Sequence, residues 1–196
     1  MGDVRIVNGA GGPLAAAEVD ENNHLHVLSL DVPIGTYRAM RGENFAFLTE
    51  LDTAATAAYA LAYILNNSVT KNFHIERLFI NATEALDTCE IWAGVTRTSG
   101  GTLVSPINTN FSNANILDAS IYHAVTPGAL VLDYTLAKEL YSFKPAARAV
   151  TMIDLQGRWV LGKNNSIGIK VASSVVTATK IRMTVVGWTW DVGSAL

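Results

Sequence analysis

The run Lys180-Ile-Arg-Met-Thr-Val-Val-Gly-Trp-Thr-Trp-Asp-Val192 opens as an alternating strand. Ile181, Met183 and Val185 fall on one face and Lys180, Arg182 and Thr184 on the other, the two-residue period of a sheet buried on one side. Beyond Gly187 the phase slips, because Trp188, Trp190 and Val192 share the parity of Arg182. Two readings follow. In one, a bulge at Gly187 restores the phase and all six apolar side chains enter one core. In the other, Trp188 and Trp190 face a partner subunit as aromatic anchors. The bulge is the preferred reading, since glycine stands where a bulge needs it.

Upstream, the same period recurs in short runs divided by turn residues. Phe73 to Asn81, Thr88 to Thr96, Val104 to Asn110, Ser120 to Val125, Leu130 to Leu136, Arg148 to Leu155, Trp159 to Leu161 and Ile167 to Val171 all read as strands. Their spacing is that of a sandwich or barrel. His24 to Asp31 carries apolar groups on both faces and reads as a central strand. Tyr37 to Asn44 reads as a connection, and a single helical turn is expected near Leu136 to Leu140. Asp52 to Asn66 is rich in alanine, which favours helix, yet Tyr59, Leu61, Tyr63 and Leu65 alternate and Asn66-Asn-Ser68 marks a turn, so a strand from about Tyr59 is expected. Asn108 to Asn115, rich in Asn, Ser and Thr, is expected as a surface loop.

The expected fold is therefore all-β, a jelly-roll-like antiparallel β-sandwich, which buries one face of each of two sheets. Residues 1–23 read as an extended N-terminal arm, with glycine freedom at Asn8-Gly-Ala-Gly-Gly-Pro13 and no periodic apolar face of its own. Residues 24–196 make one sandwich domain.

Composition narrows the function classes. Only 16% of the 196 residues are charged and 49% are apolar, so little of the surface can be ionic. That balance suits a surface covered by other subunits and equally a well-packed sandwich with Ser/Thr/Asn loops. A net charge of −3 without any Lys/Arg run argues against nucleic acid as a partner. The start of the chain lacks the pattern of a secretion signal, and no apolar run approaches the length of a membrane span. The chain is expected to be made in a cytoplasm without a membrane partner. Cys89 is the single cysteine and reads as a small strand residue.

Catalytic patterns are weak. His24 and His26 share a strand face but lack a third and fourth ligand, because His74 and His123 stand far off, so no metal is expected. Gly9-Ala-Gly-Gly12 is followed by no Lys-Ser/Thr, so no phosphate cofactor is expected. Asp118, Ser120 and His123 lie on one probable strand, where their directions diverge. Asn66, Asn81, Asn110 and Asn164 open Asn-x-Ser/Thr triplets, which report polar turns here. The chain reads as a non-enzyme with no cofactor.

The stretch Ser99-Gly-Gly-Thr-Leu-Val-Ser-Pro-Ile-Asn-Thr-Asn-Phe-Ser-Asn-Ala114 resembles virion structural proteins of tailed bacteriophages. In that group a Gly-Gly-Thr strand end leads into a Pro-x-Asn-x-Asn loop. The opening Val4-Arg-Ile-Val-Asn-Gly-Ala-Gly, the later Val19-Asp and Leu25-x-Val27, and the closing apolar-aromatic strand are similar to the same group. The resemblance implies a virion subunit, most simply a capsid decoration (cement) protein. Such a protein sits as a homotrimer on the outer shell and binds the major capsid protein. It also leaves open a tail adaptor or a fibre-associated module for host glycans, for which Trp92, Trp159 and Tyr141 are the aromatic platforms. A β-sandwich glycan hydrolase is the third class, and it would need two carboxylates across a cleft. The residues expected to make contacts are Val4, Arg5, Ile6, Val7 and Leu14 of the arm, together with Trp188 and Trp190.

Overall fold

The computed structural model of the chain describes residues 17–19, 25–27, 34–53, 57–173 and 179–192. In chain order the elements are β1 (Ala17–Val19), β2 (Leu25–Val27), α1 (Ile34–Met40), β3 (Asn44–Thr53), β4 (Ala57–Asn66), β5 (Lys71–Ala82), β6 (Thr88–Ala93) and β7 (Thr96–Gly100). There follow β8 (Thr102–Leu103), β9 (Ile107–Asn108), β10 (Ala119–His123), β11 (Leu130–Asp133), β12 (Lys138–Phe143), β13 (Val150–Leu161), β14 (Ser166–Ser173) and β15 (Thr179–Asp191).

Two antiparallel sheets enclose the core. The first runs β13-β5-β15-β3-β9 and the second β12-β6-β14-β4-β10-β8. The pairing is nested: β3 with β15, β4 with β14, β5 with β13 and β6 with β12. A chain folded back on itself in this way, with successive pairs assigned to alternate sheets, is a jelly roll. Every apolar run thereby finds a facing layer. Phe45, Leu51, Ile75, Leu78, Ile181 and Met183 of the first sheet meet Leu61, Ile64, Ile91, Ile121 and Ile169 of the second in one buried cluster.

Several expected elements differ. The stretch Tyr37 to Asn44, expected as a connection, begins inside helix α1, which spans Ile34–Met40. The helical turn expected near Leu136 to Leu140 is only a tight turn, Ala137 N–H donating to Tyr134 O, before strand β12 begins at Lys138. The run Thr88 to Thr96 splits into β6 and β7 at Gly94. Of the segment His24 to Asp31, expected as a central strand, residues 25–27 are described and form β2, which pairs with β1 in a two-stranded sheet; the other five lie outside the described residues.

The decisive difference lies in β15. Its phase does not slip: Ile181, Met183, Val185, Gly187 and Thr189 all point inward, and Gly187 pairs with core residues Phe45 and Ile75. The register irregularity at this level belongs to β5, where Glu76 is passed over between Ile75 and Arg77. Gly187 is glycine for another reason. A Cβ there would stand 2.4 Å from the His74 carbonyl oxygen and 2.7 Å from the Phe73 ring, so the ring fills the space a side chain would need. Trp188 and Trp190 therefore lie on the outer face, which corrects the bulge reading.

Candidate functional site

Trp188 is on the outer face yet only 4% exposed, because α1 and a neighbouring strand cover it. His74, paired with it across the ladder, stacks on its indole at 3.9 Å between ring centroids. Arg38 of α1 places its guanidinium carbon 3.3 Å from the Trp190 centroid and 5.3 Å from that of Trp188, a cation–π arrangement. The same guanidinium is ion-paired with Glu43, and Arg41 approaches the other Glu43 oxygen at 3.2 Å. The His74 Nδ1–H donates to the Gly157 carbonyl at 3.1 Å. Burial, and then the charge of Arg38, holds the His74 imidazolium below its ordinary pKa. One end of the first sheet is thus sealed by the protein itself.

In the middle of that face no described element lies over the sheet. Register places Met152, Phe79, Thr184 and Leu48 in one row across β13, β5, β15 and β3. The next row is Asp154, Arg77, Val186, Ala46 and, on β9, Ile107. Met152, Leu48, Val150 and Ile107 are each more than half exposed. Outward positions of a sandwich sheet are ordinarily polar; here three of the four in the first row, Met152, Phe79 and Leu48, are apolar, with Thr184 between Phe79 and Leu48. Ion pairs border it: Arg182 with Glu50 at 2.7 Å, Lys180 with Glu50 and Asp52, and Arg77 with Asp154 at 3.8 Å. The Arg182 hydrogen bond keeps the Glu50 carboxyl below its ordinary pKa.

Beside this face the loop after β9 is fastened to the end of α1. The helix closes with Glu43 N–H donating to Arg38 O and Gly42 N–H to Ala39 O, a Schellman motif with Gly42 at φ 68°. The last carbonyls are taken by asparagine amides. Asn110 donates to Met40 O, Asn113 to Arg41 O, and Asn108 and Asn115 to Gly42 O. The Asn108, Asn110 and Asn113 oxygens in turn accept the N–H two residues on, the Asx geometry that fixes a turn. This anchored loop carries Phe111 and Ile116 into solvent, 87% and 85% exposed.

At the other side of the sandwich, edge strands β13 of the first sheet and β12 of the second have no further strand beside them among the described residues. Strand β12 is exposed along most of its length, Tyr141 and Phe143 share its core-facing side, and Ile153 and Trp159 lie half-buried on β13. On the outer face of the second sheet, β7 and β11 form a two-stranded ribbon laid over Gly168, where Val95 and Leu132 occupy the space above the backbone. Next to the ribbon, Glu90 accepts from Lys170 at 3.1 Å and from Trp92 Nε1 at 3.0 Å. Burial opposes ionisation of Glu90, but these bonds outweigh it and its pKa is lowered. The Tyr134 ring meets Trp92 edge-on, and its buried hydroxyl has no hydrogen-bond partner among the described residues. Burial, with the charge of Glu90, raises its pKa.

The residues singled out from sequence are dispersed. Val4, Arg5, Ile6, Val7 and Leu14 lie outside the described residues. Trp92 faces outward on the second sheet, while Trp159 packs toward the core from the first, so the three aromatic platforms form no common surface. Ser120 Oγ accepts from Asn67, and His123 Nδ1 lies 3.1 Å from the Glu50 carbonyl oxygen, with no triad between them. Asn66 is buried, donating to Lys71 O and Leu161 O. Among the described residues no cluster of His, Cys, Asp and Glu suits a metal ion, and no helix is long and apolar enough to cross a membrane. Sequence reasoning missed Leu48, Phe79 and Met152, whose outward direction is readable only once each strand's core face is known. No protein-family model matches the chain, and no curated protein matches it.

Proposed function

We propose that the chain is a structural subunit of a tailed-phage particle, a capsid decoration protein that assembles as a homotrimer and binds the major capsid protein. The bare row Met152-Phe79-Thr184-Leu48 carries this reading. Exposed Met152 and Leu48 beside the partly buried Phe79, on a jelly roll already holding a complete core, supply free energy only when another surface covers them. Burying a large apolar side chain stabilises by about 1.5–3 kcal/mol when it starts fully exposed, so half-exposed Leu48 and Met152 contribute about 1 kcal/mol each. Bordering ion pairs of both signs set the register and disfavour wrong neighbours. Such a subunit adds interfacial energy only in the assembled shell, and many copies act together. The role is non-catalytic. A place on the tail or a fibre would use the same face against a different neighbour.

The test is co-sedimentation with shells stripped of this protein. Leu48→Lys with Met152→Lys is expected to leave thermal unfolding unchanged, because both side chains point to solvent, and to weaken shell binding by about tenfold or more. Undiminished binding by the folded variant would remove the face from the account.

A further inference from the structure

A groove lies on the opposite side of the subunit. The edge of β11 that does not pair with β7 has no strand beside it among the described residues. It borders a groove of about 250 Å³ whose floor is Ala58 and Ala60 of β4 and whose walls include Leu130, Leu132 and Lys170. Two alanines on the floor leave room where larger side chains would close it. An unpaired strand edge above a small-residue apolar floor is the geometry for adding an extended segment, with backbone hydrogen bonds to the edge and alternate side chains in the groove.

We propose that the occupant is Val4-Arg-Ile-Val7 of a second copy of this chain, antiparallel to β11, with Arg5 opposite Asp133. Alternation places Val4 and Ile6 toward the floor and Arg5 toward solvent beside Asp133. The charges match: both Thr135 hydrogen bonds to Asp133 go to Oδ1, which leaves Oδ2 facing an incoming guanidinium. The chain is long enough. Sixteen residues precede β1, about 50 Å when extended, against sheets about 10 Å apart. A second copy is the donor because the proposed trimer sets subunits side by side, and the single-chain outcome of the test below separates it from the chain's own segment. A segment of one copy seated in the groove of the next makes a heterologous contact, which closes into a ring when the rotation between copies is that of the proposed trimer. This deepens the self-association part of the proposed function.

The test uses full-length chains. Val7→Cys and Val131→Cys variants, mixed and oxidised, are expected to give at least about tenfold more disulfide-linked heterodimer than a Val7→Cys and Ser142→Cys control, since only opposed residues meet disulfide geometry. Ala58→Trp, at an exposed position, is expected to abolish that excess without changing the melting temperature. Cross-linking no greater than in the control overturns the proposal. So does closure of the double variant Val7→Cys/Val131→Cys within single chains with no mixed dimer, which would make the occupant the chain's own segment. Failure here with shell binding still sensitive to Leu48→Lys/Met152→Lys would remove the ring contact and leave the docking face standing.

Discussion

The rings of His74 and Trp188 lie face to face, their planes 8° from parallel, on the outer side of a sheet whose inner side is the core. The stack partly buries the imidazole, and the folded pKa of His74 is lowered, by burial first and then by Arg38. The unfolded histidine, at about 6.5, therefore takes up its proton first. Stability should be intact above about pH 6.5 and should fall as pH drops through that value, until the lower folded pKa is passed. Melting temperatures measured across this range should decline in the wild type and decline less in His74→Gln. Equal slopes would show that His74 is not the titrating group.

Gly187 faces the Phe73 ring at a distance no Cβ tolerates. Gly187→Ala should cost about 3 kcal/mol in urea unfolding through overpacking. Adding Phe73→Leu should recover part of that loss, because the two sites share one volume. Additive costs would contradict the shared packing.

Arg38 and Glu43 are both buried where α1 meets β3. Arg38→Met removes the guanidinium from Trp190 and leaves Glu43 with Arg41 alone among its cations here. A loss of about 3 kcal/mol is expected, with Arg38→Met/Glu43→Gln less destabilised than the single variant. A red shift of tryptophan emission should accompany the loss; unchanged emission would mean that Arg38 does not shield Trp190.

Cys89 is fully buried in β6, and burial, with the nearby charge of Glu90, pushes its thiol up to about 12. At mildly alkaline pH the native protein should resist a thiol reagent such as DTNB, and reaction should follow the rate of unfolding. Fast labelling of folded protein would place Cys89 at a more open position.

The jelly roll was legible because its strands alternate cleanly, and Tyr59, Tyr63 and Leu65 outweighed the alanines around them. The helix α1 was not. Seven residues with glycine at position 35, following Pro33, give no periodic apolar face; only Gly42, placed to end a helix, hinted at it. The aromatic pair was misplaced for the same reason. Trp188 and Trp190 carry the parity of an outer face, but without α1 and Arg38 nothing in the sequence shows what covers them, so a core position looked necessary. The asparagine-rich loop was read correctly as a turn, whereas its partners, the closing carbonyls of α1, belong to that same unread helix. The row through Met152, Phe79 and Leu48 depends on the register of four strands distant in sequence, which no local period reveals.

Docking of a shell subunit through the outer face of its first sheet can be seen by imaging particles that carry the protein, at a resolution that orients a jelly roll. Copies are expected in threes on the outer shell, with Met152, Phe79 and Leu48 against the major capsid protein. Copies located with that row open to solvent would contradict it.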